Sequence, residues 1–215
     1  MVEELFLDKI KQEISERLPG ETAHLKMSPE HRILSSAALK NAQNIRESAV
    51  AIVLYRIDNR IECILTQRPI YAGNHSGQVS FPGGKKDFND ENLEATARRE
   101  CFEEIGIPRE KGILLGKLTD VYIPVSGFLV KPFVFYHSEL PDLIPDKREV
   151  AEILRFSLFD LKKETLISYT EIRLDDGTIF RNIPYFNLAN KKVWGATALI
   201  LSEIKEILLN MEGRM

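Results

Sequence analysis

Seven consecutive apolar residues, Ala49-Val50-Ala51-Ile52-Val53-Leu54-Tyr55, constrain this chain more than any other feature. A short run with no polar face reads as a central strand buried on both sides. Such a strand needs a covering layer above and below, so the chain must build a sheet with helices packed on it. The run is also well short of the roughly 18 residues that a membrane-spanning helix needs. Asp58-Asn59 marks a turn, and Ile61–Thr66 reads as the hairpin partner.

The neighbouring segments fill in those layers. Val2, Leu5, Phe6, Ile10, Ile14 and Leu18 recur at helical spacing, and Pro19-Gly20 ends that helix. Residues 20–48 are polar and read as an irregular strap. Pro69–Gly77 reads as a loop, and Val79–Phe81 as a short strand closed by Pro82-Gly83-Gly84. A helix is predicted over 92–105, with Asn89 or Asp90 as its cap, Gly106 in the left-handed position after it and Pro108 blocking its continuation. Leu114–Val121, Phe128–His137 and Val150–Phe156 read as strands, and Phe159–Lys163 as a short helical piece. Ile167–Leu174 and Thr178–Ile183 flank the hairpin signal Asp175-Asp176-Gly177, and Trp194–Met211 reads as a long closing helix. The expected fold class is α+β, a mixed β-sheet with helices on it. A chain of 215 residues supports one large domain with small additions.

Composition narrows the function. Lys plus Arg number 29 against 32 Asp plus Glu, a net charge of −3, which argues against binding nucleic acid through its phosphates. The first twenty residues are dotted with charge, so no signal peptide is expected there. Cys63 and Cys101 lack metal-type spacing and read as reduced core thiols of a cytoplasmic protein.

The helix over 92–105 carries its acids where they cost stability. On a 100°-per-residue wheel, Glu100, Glu103 and Glu104 fall within an arc of roughly 100°, beside an apolar stripe of Ala97, Cys101 and Ile105. Glu100 and Glu104 are like charges at i,i+4, costing roughly 0.2–0.5 kcal/mol. Acids in the last turn oppose the helix dipole by roughly 0.3–1 kcal/mol more. Arg99 can offset part of this, and a hard divalent cation can offset the rest, since Mg²⁺ is commonly held by one or two carboxylates plus substrate phosphates. Taken alone, a solvated acidic edge is the better explanation of the acids, since Glu is common on exposed helices.

The residues upstream change that balance. Phe81-Pro82-Gly83-Gly84-Lys85, followed by Arg99-Glu100-x-x-Glu103-Glu104-x-Gly106-Ile107, resembles the Nudix box: Gly, five residues, Glu, seven residues, then Arg-Glu-U-x-Glu-Glu-x-Gly-U, with U apolar. Here one extra residue lies between turn and helix. Counting back from Arg99 places Glu91 at the box's first acid, whereas counting forward from Gly84 places Asp90 there. That insertion resembles the coenzyme A diphosphatase branch. So do Leu65-Thr66-Gln67-Arg68, His75-Ser76-Gly77-Gln78-Val79-Ser80-Phe81-Pro82-Gly83-Gly84 and Val193-Trp194-Gly195-Ala196-Thr197-Ala198. Ala72-Gly73 stand where most members of the branch carry Leu-Arg, so one positive charge is missing.

The resemblance implies a Nudix-type α/β/α sandwich over 45–211, preceded by an N-terminal helix and strap over 1–44. It implies hydrolysis of the diphosphate bond of coenzyme A or acyl-CoA, to 3′,5′-ADP and the phosphopantetheine half, with Mg²⁺ or Mn²⁺ as cofactor. It also implies a small-molecule nucleotide substrate and a homodimer. Glu100 and Glu104 would ligate the metal, Glu103 would be a third ligand or the water-orienting base, and Arg99 would hold the acids in register. Arg68, His75, Gly77, Gln78, Gly83, Gly84 and Lys85 would face the substrate. The same box serves nucleoside triphosphates, ADP-ribose and dinucleotides, and a non-catalytic nucleotide sensor is a more distant alternative.

Glu149 and Glu152 read either as exposed strand-edge acids or as a base from outside the helix. Trp194 reads as the anchor of the closing helix, and Tyr185 and Phe186 as packing residues or an adenine-stacking pair. The pairs Lys85-Lys86, Lys162-Lys163 and Lys191-Lys192 read as solvated surface, with Lys85 alone placed near substrate.

Overall fold

The computed structural model describes residues 2–30, 32–70, 76–173 and 179–213. The apolar run lies inside β1 (Arg46–Ile57), with the turn at Asp58 leading to β2 (Arg60–Gln67). Before β1 come α1 (Val2–Glu16), α2 (Glu21–Leu25) and α3 (Ser35–Leu39). The strap therefore contains two short helices instead of being irregular throughout. After β2 come β3 (Val79–Ser80), β4 (Gly83–Lys85), α4 (Leu93–Ile105), β5 (Ile113–Lys117), β6 (Val121–Ile123), β7 (Phe128–His137) and β8 (Glu152–Ser157). The chain closes with β9 (Ile167–Arg173), β10 (Ile179–Leu188), β11 (Lys191–Val193) and α5 (Gly195–Glu212). Leu158–Lys162 forms a single 3₁₀ stretch where the short helical piece was predicted.

The main sheet runs β3-β2-β1-β7-β5, with β4 on β1, β6 on β7 and β8 on β2. It is mixed: β7 runs parallel to β1, from Arg46 opposite Phe128 to Tyr55 opposite His137, while the other pairs are antiparallel. One edge of β1 is shared, with β2 pairing near its end and β4 pairing Ser48–Val50 near its start.

Alternation along β1 sends its side chains to two cores. Ala49, Ala51, Val53 and Tyr55 pack with Ala97, Cys101 and Ile105 of α4. Ile52 and Leu54 join Ile10 and Ile14 of α1 and a row of α5 residues from Ala198 to Leu208. The result is an α+β sandwich, helices on both faces of a mixed sheet. A second, three-stranded sheet, β9-β10-β11, adds Phe186, Leu188 and Val193 to the α5-side core. Among the described residues no helix is long and apolar enough to cross a membrane.

The structure corrects several sequence expectations. Gly83 and Gly84, expected with Pro82 to form a closing turn, instead begin the strand Gly83–Lys85, which pairs an edge of β1 whose backbone groups would otherwise be unpaired. Leu114–Val121 divides into β5 and β6, with the intervening Leu118 N–H donating to the Pro132 carbonyl. The cap of α4 is Asn92, whose side chain accepts from the Ala95 N–H at 2.9 Å, and neither Asn89 nor Asp90. The hairpin signal at 175–177 lies outside the described residues.

Candidate active site

The acids of α4 are placed by the two ends of that helix and by its apolar stripe. Asn92 fixes the start, and Gly106, with φ 80°, ends it in the left-handed conformation that favours glycine. Ala97, Cys101 and Ile105 are buried against β1, which turns the adjacent edge, carrying Glu100 and Glu104, toward β4.

Both glycines of β4 are needed there. A Cβ at Gly83 would collide with the Ala49 carbonyl and Val50, so only glycine lets this strand lie against β1. A Cβ at Gly84 would sit 2.5 Å from the Glu100 carboxylate carbon, so that carboxylate lies directly against the strand backbone. Glu104 is 4% exposed. Its two oxygens are approached by the Gly83 N–H and the Thr66 hydroxyl, each at 3.4 Å, which is long for a hydrogen bond to a carboxylate. Burial pushes the Glu104 carboxyl up to about 7, and the charges of Glu100 and Glu149 add to this, while the Gly83 N–H and Arg68 oppose it. The Glu100 carboxyl is also raised, by burial first, although Arg99 opposes.

Arg99 is the hub of the cluster. Its Nε and Nη2 donate to the two oxygens of Asp90 at 2.9 Å each, its Nη1 reaches Glu100 at 2.8 Å and Glu103 at 2.9 Å, and Nη2 also meets the Lys85 carbonyl. The Arg99 contact holds the Asp90 carboxyl at about 2. Asp90, not Glu91, thus partners the helix arginine, which resolves the one-residue offset in the motif. The signal was present in the sequence, but the spacing alone gave two answers. Spacing gives Thr66 no link to the acids, and only the fold brings it to Glu104.

The remaining expected residues divide. Glu103 is half-exposed and also meets Arg109. The Arg68 N–H donates to the Gln78 carbonyl at 3.0 Å, and the Gly77 N–H to the Pro69 carbonyl at 3.1 Å, closing the base of the 69–77 loop. Lys85 is exposed at the end of β4. His75, with Ala72 and Gly73, lies outside the described residues. Glu149 is exposed and its charge acts on both Glu100 and Glu104, whereas Glu152 pairs with Lys191 at 2.8 Å. Phe186 is fully buried in the core, which removes it as an adenine platform, and Tyr185 lies under the Lys192 ammonium. Trp194 is half-buried at the cap position of α5. Cys63 and Cys101 are free and buried, and burial raises both thiols. Of the lysines read as solvated surface, Lys162 meets Glu212, and Lys191 is engaged on two sides.

Among the described residues, no three His, Cys, Asp or Glu side chains are already closed into a metal cage. The donor set still fits a hard cation. Two largely buried carboxylates face one glycine strand, and one of them receives only long hydrogen bonds.

Comparison with known proteins shows the family. The chain matches the NUDIX domain over residues 45–176, more than half its length. The chain belongs to the Nudix hydrolase family. Nudix hydrolase 3 of Caenorhabditis elegans is 33% identical over 174 residues, covering 74% of this chain and 72% of that protein. The uncharacterized Nudix hydrolase NudL of Yersinia pestis (strain Pestoides F) is 29% identical over 185 residues, covering 85% and 89%. The solved MutT protein of Methanosarcina mazei Go1 aligns with a TM-score of 0.48 at 19% identity, over 80% of this chain and 96% of that one. Nudix hydrolases generally use divalent metal ions.

Proposed function

We propose that this Nudix hydrolase cleaves the diphosphate bond of coenzyme A or acyl-CoA, giving 3′,5′-ADP and (acyl-)phosphopantetheine. The observation that carries the reaction class is the placement of the Glu100 and Glu104 carboxylates against the Gly83-Gly84 backbone. The substrate choice rests on the motif from Leu65 to Gly84.

Glu100 and Glu104 hold Mg²⁺ or Mn²⁺ in this reading. The bound cation would polarise phosphoryl oxygens and lower the pKa of the attacking water. Arg99 keeps Glu100 in place by gripping one of its oxygens, and Asp90 keeps Arg99 in place through two parallel hydrogen bonds. A third ligand, or the group that orients the attacking water, is Glu103 or Glu149. Glu103 is engaged by two arginines, and Glu149 is exposed beside the acids. Arg68, His75, Gly77, Gln78 and Lys85 are assigned to the substrate. A cytoplasmic location, in keeping with the two buried free thiols, and a homodimer belong to the same proposal.

The test is a product assay on the purified protein with Mg²⁺ or Mn²⁺, across coenzyme A, ADP-ribose, NADH and an oxidised nucleoside triphosphate. Coenzyme A is expected to be cleaved preferentially, with activity lost in Glu104→Gln. Comparing Glu103→Gln with Glu149→Gln identifies the base. One observation favours a second reading, a different nucleoside diphosphate derivative: Ala72-Gly73 remove a cation that the coenzyme A motif usually supplies. Preferred turnover of ADP-ribose or NADH would establish it. Full activity in both Glu100→Gln and Glu104→Gln would overturn the mechanism.

A further inference from the structure

Adjacent side chains of β2 reach the acids and the neighbouring loop. Thr66 and Gln67 are consecutive residues of β2. Thr66 reaches Glu104, and Gln67 reaches the loop: its Nε2 donates to the Gly77 carbonyl at 3.1 Å. Gly77 sits at φ +65°, the last residue before the segment that runs through β3 and the buried Phe81 into Gly83. Where Gly77 lies therefore bears on how the strand that faces the acids is entered.

A glutamine amide can turn over, exchanging its donor and acceptor ends. Here its orientation is imposed from the far side. Lys191 Nζ meets Gln67 Oε1 at 2.8 Å and Glu152 Oε2 at 2.8 Å. An ammonium only donates, so it demands the oxygen end of the amide and leaves the NH₂ end for a carbonyl. Gln67 and Glu152 are cross-strand neighbours in the β2–β8 pair, so one lysine satisfies both. Lys191 is itself aimed by a tight turn: Leu188 pairs with Lys191, and the two residues between them, Ala189 (φ 48°) and Asn190 (φ 61°), are both left-handed, as a two-residue hairpin turn requires.

We propose that Lys191 is a positioning residue for the substrate-facing segment, fixing the Gln67 amide so that it holds the Gly77 carbonyl. The role rests on the diphosphatase reading for its substrate and not for its geometry. Lys191 comes from the second sheet, beyond the stretch that matches the family domain, so it couples that sheet to the site.

The test uses the full-length protein and two readouts. The first is hydrogen exchange, by NMR, of the Gly77 and Arg68 amides, whose bonds to Pro69 and Gln78 close the loop base. The second is the separation of KM from kcat with coenzyme A. Losing one such contact is expected to change either readout by about three- to tenfold. Lys191→Met should speed Gly77 exchange and raise KM by that amount while kcat stays within about twofold. Gln67→Leu should do the same, and Lys191→Arg, which keeps the donor, should restore both. Unchanged exchange in Lys191→Met, or an arginine variant no better than methionine, would overturn the proposal. So would a fall in kcat with no change in KM, which marks a general loss of structure. If the wild-type protein cleaves none of the four substrates, the functional reading fails, and the exchange readout alone decides the role of Lys191.

Discussion

Adjacent glycines in β4 have unlike reasons to be glycine, and substituting each should give an unlike result. At Gly84 the obstacle to a Cβ is the end of the Glu100 side chain, which can swing away. Gly84→Ala is therefore expected to fold while displacing a proposed metal ligand, lowering kcat/KM about a hundredfold. At Gly83 the obstacle is the β1 backbone, which cannot yield. Gly83→Ala should cost roughly 1–3 kcal/mol in stability, read from the urea midpoint. Ala189 makes the opposite case: an alanine held at φ 48°. Ala189→Gly should stabilise the fold by roughly 1 kcal/mol. The acids were legible in the sequence because all three sit on one helix, where periodicity assigns them an edge. Asp90 and Lys191 were less so, since their partners, Arg99 and Gln67, are set by the fold and not by spacing.

Among the elements, those with strong periodicity matched expectation. β1 and β7 follow their apolar runs, and α4 and α5 follow their 3.6-residue patterns, each within a few residues. What escaped was short or borrowed. β4 has three residues with no strand signature, and exists because β1 offers an open edge. The cap of α4 was misplaced because three candidate residues, Asn89, Asp90 and Asn92, lie within four positions. Asn92 performs that role, and Asn92→Ala should cost about 1 kcal/mol. Because α4 carries the acids, the same variant should lower activity more than an equally destabilising change in α1, and paired melting and rate measurements would show it.

For the molecule as a whole, pH tests the α4-side core. Burial, with the charge of Arg98 adding to it, lowers His137 from an ordinary value near 6.5 to about 4. The folded protein therefore holds this ring neutral where the unfolded chain would protonate it. The resulting stability is complete above about pH 6.5 and is lost as pH falls from there toward 4. The loss should amount to about 2 kcal/mol by pH 5. Glu104, raised by burial to about 7, gains stability over the same pH range, so urea titrations at pH 7 and pH 5 should show this loss as the difference between the wild type and His137→Gln, the variant being the more favoured by the lower pH.

Glu203 of α5 is fully buried and gathers distant parts of the chain. It accepts from the Gly20 N–H, from the Thr119 N–H and hydroxyl, and meets His24 at 3.2 Å. Ile10, Ile14 and Met27 share one core with α5. Anyone trimming the gene to residues 45–176 would keep the signature and Thr119 but discard Glu203 with Gly20 and His24, and would strip α1 and α5 from the face of the main sheet that they cover. The stretch that matches the family is therefore shorter than the stretch that packs together, and a chain cut to the shorter one should unfold at a lower urea midpoint than the full-length protein.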